Sequence, residues 1–116
     1  MTVTMYGIPN CDTIKKAKKW LTDEGIEFVF HDYRKQGVEP ALIERFFSQL
    51  DWQQVVNKRG TTYRQLPQEV KDNLDQNSAL TLLVASPAMI KRPILDCDGQ
   101  LHLGFKAEQY QTIFAQ

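Results

Sequence analysis

A chain of 116 residues is the length of one domain, and at that size roughly two thirds of the unfolded surface is buried, so a core needs no staples. Fourteen Lys and Arg balance fourteen Asp and Glu, which argues against a nucleic-acid binder that relies on bulk charge. No basic start leads into a long apolar run, and the stretch Ala79 to Ala85 falls far short of the ~20 residues that span a bilayer, so a cytoplasmic protein with no membrane segment is expected.

Thr2 to Tyr6 alternates β-branched and larger apolar residues and reads as a short strand. Gly7 and Pro9 break it. Asn10 is a candidate N-cap, which places Cys11 at the first helical position, with Asp12 suited to the first turn. Ile14, Ala17 and Leu21 recur at helical spacing, and Gly25 ends the element. Ile26 to His31 is a second strand, so the start of the chain is a βαβ unit with a parallel, right-handed crossover. Tyr33 to Val38 reads as a polar link. Glu39 to Leu50 is helical, with Pro40 in its first turn and Ile43, Phe46, Phe47 and Leu50 on its apolar face. A less regular stretch follows, with a loop at Asn57 to Thr61, and then two short helices at Gln68 to Leu74 and Ala79 to Ala85. Asp98-Gly99 marks a hairpin between two apolar-bearing runs. Lys106 to Phe114 closes the chain as a helix that buries Ala107, Tyr110, Ile113 and Phe114.

The chain has two cysteines, Cys11 and Cys97. Neither belongs to a CxxC pair or a Cys/His cluster, so no metal site is expected. Cys11 reads either as a small buried residue ending a strand or as a reactive thiol. Its place at a helix start, the Gly-Ile-Pro loop before it, and the order βαβ then ββα favour the reactive thiol, because unpaired N–H groups and the helix dipole stabilise a thiolate there. Lys15 lies about 40° from Cys11 around the helix axis and one turn on, so it is the lysine expected beside the thiolate. Lys16, Lys18 and Lys19 are expected to face water. Cys97 sits between Asp96 and Asp98, which disfavour a thiolate. Arg92-Pro93 reads either as an edge proline after a surface arginine or, in a thioredoxin-like fold, as a cis peptide facing the thiol. Arg59, taken alone, is a loop arginine.

Four segments in this order, GIPNCDTIKKAKKWL, NKRGTTYRQL, SPAMIKRPIL and LGFKAEQY, resemble the ArsC/Spx family of arsenate reductase-like proteins, and within it the YffB-type proteins. The resemblance spans essentially the whole chain. It implies an α/β, thioredoxin-like fold (βαβ plus ββα) in one domain, with thioredoxin-like parts at about 1–35 and 88–116 and a helical insertion at about 36–87. In arsenate reductases of this kind the helix-start cysteine attacks arsenate, glutathione and glutaredoxin complete the reduction, and three arginines hold the oxyanion. The resemblance implies that Cys11 is catalytic and that Arg92 and Arg59 bind the anion. Pro93, Asn10 and Lys15 complete the expected site. The third arginine position falls on Gly104-Phe105, which supplies no cation. Spx-type regulators usually carry CxxC here, whereas this chain reads Cys11-Asp12-Thr13-Ile14. The expectation is a monomeric, glutathione-dependent thiol reductase with no bound cofactor. Its alternatives are a glutaredoxin-coupled arsenate reductase and an Spx-like protein that docks on RNA polymerase without turnover.

Overall fold

A computed structural model describes residues 1–115. The chain divides into two compact units, one formed by Met1–Tyr33 with the segment from Arg92 onward, the other by Arg34–Lys91.

The first unit holds β1 (Val3–Gly7), α1 (Asp12–Asp23), β2 (Val29–Asp32), β3 (Ile94–Cys97), β4 (Gln100–Leu103) and α8 (Ala107–Phe114). The strands form one sheet in the order β2-β1-β3-β4. β1 pairs parallel with β2 and antiparallel with β3, as the βαβ and ββα readings require. β2 begins later than the apolar run suggests, at Val29 rather than Ile26, and extends to Asp32. Alternate β1 residues, Val3 and Met5, face Ile14, Ala17 and Leu21 of α1 in one core that also includes Leu95 and Tyr110. Tyr110 is enclosed edge-on by Trp20 at 5.6 Å and Phe105 at 4.7 Å between ring centroids. Ala107, expected inside, is exposed, because it is the first helical residue of α8 and the buried side begins one turn later at Tyr110. The hairpin turns through Asp98 and Gly99 with φ of 52° and 94°, the primed geometry that suits strand twist. Gly99 N–H donates to Asp96 Oδ1 at 2.8 Å, and the Thr2 N–H donates to Asp98 Oδ1 at 2.7 Å. The flanking acids therefore hold the turn.

The second unit is helical. α2 (Tyr33–Gln36) starts where a polar link was expected and runs into this unit from Tyr33. α3 (Pro40–Gln49), α4 (Trp52–Val55), α5 (Thr61–Arg64), α6 (Gln68–Asp72), α7 (Gln76–Ala85) and a 3₁₀ turn at Pro87–Met89 follow. α3 packs on α7, each burying a pair of apolar residues: Ile43 and Phe46, Ala79 and Leu83. α7 starts three residues earlier than its apolar run. Asp75 and Ser78 form a reciprocal capping box there, with Ser78 N–H donating to Asp75 Oδ1 at 2.8 Å and Asp75 N–H donating to Ser78 Oγ at 2.9 Å. Lys91 N–H donates to Val55 carbonyl and Asn57 N–H to Met89 carbonyl, each at 2.7 Å, tying the end of α4 to the chain after the 3₁₀ turn.

Gly7 is required by close approach. A Cβ built there would overlap Ile14 Cδ1 and lie 3.7 Å from Arg92 Cβ. Gly7→Ala is therefore expected to destabilise the protein by about 1–3 kcal/mol through overpacking. Adding Ile14→Val, which removes Cδ1, should recover part of that loss. Urea unfolding of both variants checks it; an additive double variant would show that the two side chains do not collide.

Candidate active site around Cys11

β1 ends at Gly7, and Ile8, Pro9 and Asn10 carry the chain over to α1. The expected placement of Asn10 as N-cap is off by one residue. Cys11 N–H donates to the Pro9 carbonyl at 3.0 Å, closing a tight turn that leaves Asn10 exposed. Cys11 is itself the N-cap, with extended φ −147° and ψ 127°, and Lys15 N–H donates to its carbonyl at 3.0 Å. The Cys11 sulfur thus stands where a capping oxygen would, facing the unpaired N–H groups of the first turn.

No side-chain cap hydrogen bond closes there, yet those groups act on the sulfur. Partial burial pushes the thiol up. The Ile14 N–H, a hydrogen bond from the Arg92 side chain, the Thr13 N–H and the Arg92 charge together outweigh burial and hold Cys11 below its ordinary range. The cation acting on the thiol is Arg92. Lys15 is exposed one turn on, so the expected lysine contribution passes to the arginine. Of the lysines expected to face water, Lys18 instead lies 3.6 Å above the Phe30 ring, and exposed Lys19 pairs with Asp23 at 2.6 Å.

Sheet register explains how Arg92 reaches Cys11. Tyr6 pairs with Ile94, so Pro93 stands level with Gly7 and Arg92 with Ile8, where the chain turns toward α1. The Arg92–Pro93 peptide is cis, and Pro93 is buried while Arg92 is half-buried. The same register sets Cys97 opposite Val3, so it lies a strand length away, about 13 Å at the usual rise. Burial, then the charges of Asp98 and Asp96, push the Cys97 thiol up.

Arg59 belongs to the second unit and is exposed on its loop. Its backbone is held at both ends: its N–H donates to Asn57 Oδ1 at 3.1 Å, and its carbonyl accepts from Arg64 Nε at 3.1 Å. The part that Thr13 and Ile14 play at the sulfur is not legible in the sequence, because they act through backbone N–H groups that carry no residue signature.

The two thiols should therefore separate in solution. Alkylation by iodoacetamide, followed against pH in Cys97→Ser and Cys11→Ser variants, is expected to show Cys11 titrating below the ~8.5 of a free thiol and Cys97 above it. Arg92→Ala should move the Cys11 midpoint upward and leave Cys97 where it is. Equal midpoints for the two thiols would contradict the electrostatics described.

The model of the ArsC family matches residues 6–113. An uncharacterized protein of Haemophilus influenzae is 47% identical over 97% of this chain and 99% of its own length. Among solved structures, a YffB protein superposes with a TM-score of 0.94 at 40% identity, covering 98% of this chain and 100% of its own. An arsenate reductase (ArsC) related protein from Brucella melitensis superposes at 0.81 with 49% identity, covering 100% and 97%. The global transcriptional regulator Spx of Lactiplantibacillus plantarum is 25% identical over 92% of this chain and 82% of its own. A thioredoxin-like α/β fold, a family-model match across nearly the whole chain and close relatives of full length lead to one assignment: the chain belongs to the ArsC family.

Proposed function

We propose that this protein is a glutathione-dependent thiol reductase that works through Cys11 in the cytoplasm. The observation that carries the reading is a half-buried thiol at a helix N-cap, held below its ordinary range by N–H groups and by Arg92. A thiolate of that kind attacks a disulfide sulfur efficiently near neutral pH. In the first step the Cys11 thiolate attacks the glutathione sulfur of a mixed disulfide. The S–S bond breaks, the substrate leaves as a thiolate, and Cys11 is joined to glutathione. In the second step the thiolate of another glutathione attacks that glutathionyl sulfur. Oxidised glutathione leaves and the Cys11 thiolate is restored, so glutathione supplies the electrons and no bound cofactor is needed. Arg92 serves both steps. It stabilises the thiolate and offers a planar pair of donors to a carboxylate of the tripeptide. Pro93 sets the backbone beside it.

Arsenate reduction is the second reading, favoured by the likeness to an arsenate reductase related protein. By the family resemblance, the third arginine of such arsenate reductases would fall at Gly104-Phe105, and neither residue offers a cation. That leaves a compact oxyanion with fewer donors than the reaction uses elsewhere.

A turnover assay separates these readings. The purified chain, supplied with glutathione and either a glutathionylated peptide or arsenate, should reduce the peptide and leave arsenate nearly untouched. Cys11→Ser should abolish activity. Turnover of arsenate at the higher rate would make it an arsenate reductase, and turnover of neither would favour a docking role like that of Spx. Arg92→Ala is expected to weaken glutathione binding by about 1.5–3 kcal/mol, the scale of a hydrogen bond to a charged group. Arg92→Lys should recover part of it, because lysine lacks the planar fork. Calorimetry at low salt is the measurement, and wild-type affinity in Arg92→Ala would place Arg92 outside the anion site.

A further inference from the structure

Tyr33 takes no part in the chemistry above, yet it is one of the most enclosed residues of the first unit, at 2% exposure. Its ring stacks beside Tyr6, 6.5 Å away at 20°, and meets His31 edge-on at 5.8 Å. Tyr6 and His31 touch each other at 5.0 Å. The Tyr33 hydroxyl is buried and makes no hydrogen bond among the described residues. A buried hydroxyl left unpaired destabilises a fold, so its retention calls for a reason.

Its position supplies one. Gly7 pairs with Asp32 on one side of β1, and Tyr6 pairs with Ile94 on the other. Tyr33 and Arg92 are therefore level with Ile8 on opposite sides, about 10 Å apart between backbones across two strand spacings. A tyrosine and an arginine side chain are together long enough to span that gap. Burial, then the Tyr6 phenol, pushes the Tyr33 phenol up and keeps it uncharged, while the Arg92 charge acts on it in the opposite sense. A neutral phenol in the field of a cation turns its oxygen, the negative end of its dipole, toward that cation.

We propose that Tyr33 is a positioning residue: its ring is held by the Tyr6 and His31 rings, and its buried hydroxyl oxygen fixes the Arg92 guanidinium where it meets the Cys11 thiolate. The hold is between charge and dipole rather than a closed hydrogen bond. It rests on the Cys11–Arg92 pairing used in the proposed function and on no property of glutathione. The other titratable neighbours are Tyr6 on β1, His31 and Asp32 on β2, and Asp12 and Lys15 beside Cys11 on α1. All stay in place when only the Tyr33 oxygen is removed.

Tyr33→Phe keeps the ring and deletes that oxygen. In a Cys97→Ser background, the pH midpoint of Cys11 alkylation by iodoacetamide should rise by roughly half a pH unit, leaving about threefold less thiolate below the midpoint. In Arg92→Ala the same change should add nothing, because the residue it positions is gone. An unmoved midpoint with Arg92 present overturns the proposal. So does an equal shift with and without Arg92, which would mean that Tyr33 acts on the thiol directly. Thermal melting of Tyr33→Phe should match or exceed the parent, since an unpaired buried hydroxyl has been removed. A sharp loss of stability would assign the hydroxyl a structural bond and equally overturn the proposal. The reagent is neutral and the assay contains no glutathione, so its outcome and that of the turnover assay are independent.

Discussion

The pairing of β1 on both sides is the constraint from which the site follows. One strand lies parallel to β2 and antiparallel to β3, so its last residues bring together the exits of two elements and the entrance of a third. The end of β2 delivers Asp32 and Tyr33 beside Gly7. The entrance to β3 delivers Arg92 and Pro93 to the same level. β1 itself continues through three residues into the N-cap of α1. A shift of the register by one residue would exchange the core face for the other face along the whole strand. It would also carry Arg92 away from Cys11.

Gly7 makes this convergence sterically feasible. With no Cβ at that position, Ile14 of α1 can press against the strand end while Arg92 stands on the other neighbour. The helix start is thereby pinned close to the sheet, and the N–H groups of Thr13 and Ile14 are directed at the Cys11 sulfur. Burial alone would disfavour a charged sulfur there. The competing influences, two backbone dipoles and one guanidinium, are stronger because they act at short range in partly excluded solvent. Cys97 shows the opposite balance at the far end of the sheet. It is similarly half-buried, but its charged neighbours are carboxylates, which add to the effect of burial. The two thiols share a core and differ in which end of the strands they occupy.

The alternation of Thr2 to Tyr6, the spacing of Ile14, Ala17 and Leu21, and the Asp98-Gly99 pair are local signals, and the elements they name exist because each is a local preference of the backbone or of one face. The segments around Cys11, Arg92 and Pro93 carry the family resemblance, and the fold and family agree with it. Boundaries were less legible wherever a side chain or a turn outside the periodic run decides them. Asp75 and Ser78 start α7 three residues ahead of its apolar stretch, and Pro9 accepts the Cys11 N–H and so moves the α1 cap from Asn10 to Cys11.

The sequence by itself determined that a single cysteine stands at a helix start after a short strand, that its distant companion is flanked by acids, and that an arginine-proline pair opens a hairpin. These are properties of neighbours along the chain. Tertiary structure decided which cation acts on the sulfur: helix geometry nominates Lys15 and the resemblance assigns Arg92 to the anion, while the β1–β3 register delivers Arg92 to the thiol from 81 residues further on. It also decided that Tyr33, polar by position in the sequence, is enclosed by Tyr6 and His31 and set level with Arg92. Such proximities arise from strand pairing between distant segments, and pairing between distant segments leaves no periodicity in either one.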